Sequence, residues 1–207
     1  FPSHATVYFA PISFEEDRVS KTHEYLNSMD EWNRFKEEMS TFYDLKMEAL
    51  EEAYDKEQAD YYIYSSLWTE LRKDHVIGEP VPVKYLDLNT CTLEDSEGID
   101  KANIDFQIDN RIMSGLAGWF TVDFKGSEAM PCVREVTLST GPEVGYTHWG
   151  QQVFYLKDMI DSREKKTRIH GNVTMFRQKK NKRLYNCKFE IGTDDNEELN
   201  TSVYEVP

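Results

Sequence analysis

The sequence predicts a mainly β fold, an antiparallel β-barrel or distorted barrel/sandwich, with an α-helical segment inserted near its start. Three observations carry this expectation. After residue 82 apolar residues recur at every second position, before residue 80 they recur at helical spacing, and residues 5 to 10 already read as a strand. A strand on either side of the helical region makes that region an insertion into one β-domain. The 207 residues are accordingly read as a single domain, 1–207.

The first strand, within "HATVYFAPI", is rich in β-branched and aromatic residues. A helical stretch follows. Ser28 and Glu31 have the S-x-x-E spacing of a capping box, ahead of Trp32, Phe35, Met39 and Phe42 on one helical face. A second segment puts Met47, Leu50 and Tyr54 on one face, and a third does so for Tyr61, Tyr64, Trp68 and Leu71. "GEPVPV" (78–83) stops the pattern, because proline has no N–H to continue a helix. The apolar stripe over 42–71 lies on an acidic background. It either covers the open end of the barrel or projects and is buried by a second chain.

The later strands show the alternation most plainly. Phe120, Val122 and Phe124 alternate with Trp119, Thr121 and Asp123. Ile169, Val173 and Met175 alternate with His170, Asn172 and Thr174, and Tyr185, Cys187, Phe189 and Ile191 with their polar neighbours. Gly, Asn, Asp and Pro clusters separate these runs, as an antiparallel architecture requires. The run "EGIDKANIDFQID" (97–109) does not fit a calcium-binding loop, and its charges read as strand and turn surface.

The net charge of −14 argues against nucleic acid as the main partner. The charge is uneven: residues 11–60 carry 15 acidic and 6 basic side chains, residues 157–188 carry 3 and 11. The cluster "RQKKNKR" (Arg177 to Arg183) reads as a solvated hairpin loop, since no aromatic interleaves its charges to stack bases. Its alternative is an RNA- or phosphate-binding patch. Cys91, Cys132 and Cys187 show no metal-ligand spacing and no C-x-x-C, which fits idle thiols in a reducing, intracellular compartment, cytoplasm or nucleus. No apolar run has the length of a membrane span, and no signal segment opens the chain.

Glycine-rich nucleotide loops, H-E-x-x-H and G-x-S-x-G are all missing, and His4, His23, His75 and His170 do not group as ligands. What remains is "GYTHWGQQVFYL" (145–156), where a turn carries an imidazole beside an indole. Histidine can hold a carboxylate near neutral pH, and tryptophan offers a flat face to a cation such as a guanidinium. Thr147 can cap the turn. Chemistry alone leaves two readings open: a cation-binding edge, or a packed corner.

The stretch "LSTGPEVGYTHWGQQVFYL" (138–156) resembles the threonine–histidine–tryptophan loop and following strand of the protein arginine N-methyltransferases. "PSHATVYFAPI" (2–12) resembles the segment by which that family's chain enters its barrel. "GWFTVDF" (118–124) resembles a barrel strand, and "NKRLYN" (181–186) resembles the closing hairpin. "THWGQQVF" and a long insertion containing "YYIYSSLW" resemble the plant-type branch, whose dimerisation arm is extended. The resemblance spans nearly the whole chain.

It implies the C-terminal, substrate-binding and dimerisation portion of an S-adenosylmethionine-dependent enzyme that makes asymmetric dimethylarginine. The cofactor domain and a hairpin with two glutamates would lie upstream of residue 1, so the fragment alone would bind neither cofactor nor metal and would be inactive. By the same resemblance His148 pairs with an acidic side chain of that domain beside the active site, Trp149 shapes the arginine pocket, and Thr147 supports the loop. Pro2 resembles the inter-domain proline, a cis linker. Gly150 departs from many members, which have lysine there. The insertion, roughly 40–78, matches the dimerisation arm, with Phe42, Met47, Leu50, Tyr54, Tyr61, Tyr64 and Trp68 as its contact residues. The implied partners are arginine-bearing proteins such as histones or RNA-binding proteins, and a second copy of the parent in a homodimer. The alternative is a non-catalytic interaction module from an inactive family member acting as a partner subunit.

Overall fold

In a computed structural model, described for residues 2–14, 24–127 and 129–207, alternation in the sequence becomes two antiparallel sheets. The elements in chain order are β1 (His4–Ile12), α1 (Glu24–Tyr43), α2 (Glu48–Tyr62), β2 (Leu67–Thr69), β3 (Val81–Asp87), β4 (Gly98–Ile108), β5 (Ile112–Gly126), β6 (Pro131–Ser139), β7 (Gln151–Asp161), β8 (Thr167–Arg177), β9 (Tyr185–Thr193) and β10 (Asn196–Val206). One sheet runs β2-β7-β5-β1-β3, with β6 also paired to β5, and the other runs β10-β9-β8-β4. His23 and the bond between Phe1 and Pro2 lie outside the described residues.

The main core fills the space between the two sheets. Phe9, Leu116, Phe154 and Leu156 from the first sheet meet Ile104, Phe106, Val173, Phe189 and Tyr204 from the second. The first sheet is covered on its other face too, where Ala10, Ile12, Ala117, Trp119, Val153 and Tyr155 pack with Phe14, Ile63 and Leu71. Side chains alternate across a strand, so Phe154 and Leu156 serve one core and Val153 and Tyr155 the other.

This double coverage explains why β5 departs from expectation. Phe120, Val122 and Phe124 are only half-buried, whereas Trp119 on the opposite face is buried in the second core. The run 97–109 forms the turn into β4 and β4 itself, as its reading as strand and turn requires. Its charges face outward, while Ile104, Phe106 and Ile108 of β4 are core residues.

The helical region forms a two-helix hairpin whose described helices lie within Glu24–Tyr62. Ser28 does not cap α1. It lies inside the helix, and its hydroxyl donates back to the Tyr25 carbonyl (2.8 Å), three residues earlier. The third apolar segment does not continue as a helix beyond Tyr62. The Ser65 hydroxyl donates to the Asp60 carbonyl (2.9 Å) as α2 ends, and Leu67–Thr69 then adds β2 to the edge of β7. Aromatic and β-branched residues followed by two serines favour strand and turn over helix there, and pairing with β7 supplies the missing hydrogen bonds.

The hairpin closes on itself through Trp32 and Tyr54, whose rings stack at 4.4 Å, and through Lys36, which reaches Glu51 at 2.6 Å while lying over the Trp32 ring. Among the described residues no helix is long and apolar enough to cross a membrane. The cluster Arg177 to Arg183 spans the turn between β8 and β9, as expected.

All three cysteines are free thiols. Burial without polar partners pushes the Cys187 thiol up, far from the thiolate that reacts. Native protein should therefore expose only the half-buried Cys91 and Cys132 to Ellman's reagent, with Cys187 reacting after unfolding. Labelling of Cys187 at a rate equal to the other two would contradict this packing.

Candidate functional site

The segment linking β6 to β7 begins with a buried anchor. Thr140 donates its hydroxyl to the Phe120 carbonyl (2.9 Å) and accepts from the Phe120 N–H (3.1 Å), tying the end of β6 to β5. Pro142–Val144 forms a single tight turn, preceded by a Gly141 N–H that donates to the Ser139 hydroxyl. The Ser139 hydroxyl in turn donates to the Glu143 carboxylate. A second turn then closes on Thr147, where the Gly150 N–H reaches the Thr147 carbonyl (3.1 Å) and hydroxyl (3.3 Å). Thr147 thus holds the turn as its chemistry suggested.

The two side chains that matter sit at the apex of this turn. His148 is exposed and Trp149 is 53% exposed. Their rings lie 6.4 Å apart at a steep angle, and the edge of Phe120 supports Trp149 at 6.1 Å. An indole that is half-open and braced on one edge leaves a face free for a planar cation.

Below the turn, glutamine side chains tie neighbouring segments together. Gln151 is buried, with its amide oxygen accepting from the Leu71 N–H (2.7 Å) and its amide nitrogen donating to the Thr140 carbonyl (2.8 Å). Gln152 accepts from the Ser66 hydroxyl (3.0 Å). Trp68 Nε1 donates to the Trp149 carbonyl at 2.8 Å. Burial in the second core pushes the Tyr155 phenol upward.

Beside the loop's first turn lies a cleft of about 680 Å³ that includes Pro142 and Glu143. Asp74, Glu79 and Asp109 face it from the other side with Lys73 and Arg111. A hydrogen bond from Arg72 holds the Asp74 carboxyl below the usual range.

The residues expected on the arm do not all share one element. Phe42 lies in the last turn of α1, Met47 precedes α2, and Leu50, Tyr54 and Tyr61 lie on α2, whereas Tyr64 follows it and Trp68 lies in β2. Phe42, Leu50, Tyr61, Tyr64 and Trp68 are each at least half exposed, while Tyr54 is turned inward onto Trp32. Sequence reasoning missed Gln151 and Phe120 as supports of the turn. A polar pair directly after the turn, facing an apolar strand, was the available signal for the first.

Among the described residues no cluster of His, Cys, Asp or Glu could hold a metal ion. The glycines of the turn leave no cradle for the nucleoside of S-adenosylmethionine. Gly150 has its open side filled by the Trp68 ring and Gly141 by Glu143 and Trp119, while Gly145 projects into open space.

Residues 3–196 match the family described as arginine methyltransferase oligomerization subdomain. Protein arginine N-methyltransferase PRMT10 of Oryza sativa subsp. japonica is 36% identical over 192 residues, covering 91% of this chain and 50% of that protein. The Arabidopsis thaliana protein of the same name is 31% identical over 212 residues, covering 99% of this chain and 54% of that protein. The chain therefore spans about half the length of the curated relatives it matches. The crystal structure of Arabidopsis protein arginine methyltransferase 10, described as uniquely open, superposes with a TM-score of 0.74 at 29% identity, covering 99% of this chain and 60% of that one. The Trypanosoma brucei PRMT1 enzyme–prozyme heterotetramer with AdoHcy shares the fold at a TM-score of 0.71 and 14% identity, over 100% of this chain and 57% of that one. With the family model matching residues 3–196 and relatives 31–36% identical over more than nine-tenths of the chain, the chain belongs to the protein arginine methyltransferase family and carries its oligomerization subdomain.

Proposed function

We propose that these residues are the substrate-binding and dimerisation half of an S-adenosylmethionine-dependent protein arginine N-methyltransferase that forms asymmetric dimethylarginine. The observation that carries the reading is the turn at 147–149, which holds a half-open indole and an exposed imidazole on a rigid base.

Trp149 forms one wall of a guanidinium pocket, and His148 bonds a carboxylate of the cofactor domain, fixing that domain against the turn. A guanidinium is delocalised and positive, so its nitrogen is a poor nucleophile until carboxylates localise the charge and aim it. Those carboxylates and the cofactor belong to the preceding domain of a longer protein. The AdoHcy named for the Trypanosoma relative supports this choice of cofactor. The exposed apolar residues of the helical hairpin serve as the arm that a second copy buries, and the acidic cleft beside Glu143 suits the basic residues of an arginine-bearing substrate.

The test is amino-acid analysis of an arginine peptide treated with the full-length protein and methyl-labelled S-adenosylmethionine. Asymmetric dimethylarginine is the expected product, and symmetric dimethylarginine would overturn the assigned type. No methylarginine from a protein that binds the cofactor would overturn the enzymatic reading in favour of a partner subunit. The 207 residues alone should show no heat of cofactor binding in calorimetry. Micromolar binding there would contradict the division of labour.

A further inference from the structure

The turn carrying His148 and Trp149 is held by a residue 81 positions earlier in the chain. Gly150 has φ +53, a left-handed conformation that glycine adopts without steric cost. A Cβ at this position would lie 2.6 Å from both Cε2 and Nε1 of Trp68. The indole of Trp68 therefore occupies the space where a side chain at 150 would go. From that position its N–H donates to the carbonyl of Trp149 at 2.8 Å. Gly150 and Trp68 fit together as a matched pair.

Trp68 is itself on a fixed base. It is paired to Gln152 in the β2–β7 register, between the Ser66–Gln152 bond (3.0 Å) and the Leu71–Gln151 bond (2.7 Å). The same segment is pinned to β10, where the Ser66 N–H donates to the Glu205 carbonyl and the Glu205 N–H to the Tyr64 carbonyl, both at 2.8 Å. The Trp149 indole, by contrast, meets the rings of Phe120 and His148 among the described residues. On the carbonyl side of Trp149, the Trp68 N–H thus adds a long-range bond to the local Thr147–Gly150 bonds that close the turn.

We infer that Trp68 is a positioning residue for the His148–Trp149 turn, acting through the Trp149 carbonyl and requiring glycine at 150. Its consequence for catalysis rests on the function proposed above. Its structural content does not.

The experiment compares wild type with Trp68→Phe, Trp68→Ala, Gly150→Ala and the Trp68→Ala/Gly150→Ala double variant, all in the full-length protein. Three quantities are read: hydrogen exchange of residues 145–150, kcat/KM for an arginine peptide, and cofactor affinity. Trp68→Phe keeps an aromatic ring and loses the N–H. It should speed exchange within the turn and lower kcat/KM by about 10-fold, the size of one hydrogen bond, with cofactor affinity unchanged. Gly150→Ala should be damaging in the wild-type background and markedly less so when Trp68 is already alanine, a non-additivity expected only of residues in contact.

Unchanged exchange in Trp68→Phe together with additive effects in the double variant would overturn the inference. Faster exchange and coupling in a protein without methyl transfer would sustain the brace and sink the proposed activity. Active wild type with kcat/KM unaffected by Trp68→Phe would sink the positioning role alone.

Discussion

Phe189→Ala should lower the free energy of unfolding by about 3–5 kcal/mol. Phe189 is fully buried in β9, and its ring meets three others edge-on: Phe9 and Phe154, each at 5.2 Å, and Tyr204 at 5.9 Å. Phe9 and Phe154 belong to the first sheet and Tyr204 to the second, so removing this ring opens a cavity at the seam where the sheets meet. Edge-to-face pairs add to the area term, and a close-packed core does not collapse to refill such a space.

The Tyr204 hydroxyl, which donates to the Tyr155 carbonyl at 2.7 Å, loses part of the packing that holds it across the same seam. A domain stable by about 5–15 kcal/mol loses a large fraction of its margin. Urea unfolding measures the change, with Val133→Ala on the exposed surface of β6 as a control expected within about 0.5 kcal/mol. A loss below about 1 kcal/mol at Phe189 would mean that the two sheets do not share this core.

Residues such as Phe189 were legible in the sequence because alternation is a local property. The strands around 5–10, 169–175 and 185–191 were read from their own side chains; each forms, and the last two bury the apolar phase read for them. Local pattern failed where distant pairing decides. The stripe Tyr61, Tyr64, Trp68 and Leu71 has helical spacing, yet β7 captures Leu67–Thr69 as an edge strand. In β5 the expected apolar face was that of Phe120, Val122 and Phe124, but cover on both faces of the sheet makes Trp119 the buried residue.

The site divides in the same way. Thr147, His148 and Trp149 stand together in the chain and were visible at once. Their supports, Phe120, Gln151 with Leu71 and Trp68 with Gly150, are joined by register across 20 to 81 positions, which no window of sequence displays. Only the resemblance to a family turned the exposed indole from a possible corner into a candidate pocket wall.

Trp149→Ala in the full-length protein should lower kcat/KM for an arginine peptide by about 10- to 100-fold. The proposed role of the indole is to offer its free face to a delocalised cation and to limit the space in which the guanidinium can move. A cation–π contact in a desolvated pocket accounts for roughly the first ten-fold, and loss of alignment with the methyl donor for the rest. Trp149→Phe should recover part of the loss, since a smaller ring still presents a flat face. The variant should fold normally, because Trp149 is 53% exposed and its backbone is held by Thr147, Gly150 and Trp68 rather than by its own side chain.

The most direct test of the turn as a wall of the arginine pocket is therefore the split between two constants measured on one protein. Peptide kcat/KM and the S-adenosylmethionine dissociation constant are determined for wild-type and Trp149→Ala full-length protein. A fall of about 10- to 100-fold in kcat/KM with the cofactor constant unchanged is the predicted result. Equal kcat/KM in the two proteins, or a loss that appears entirely as weaker cofactor binding, would contradict it.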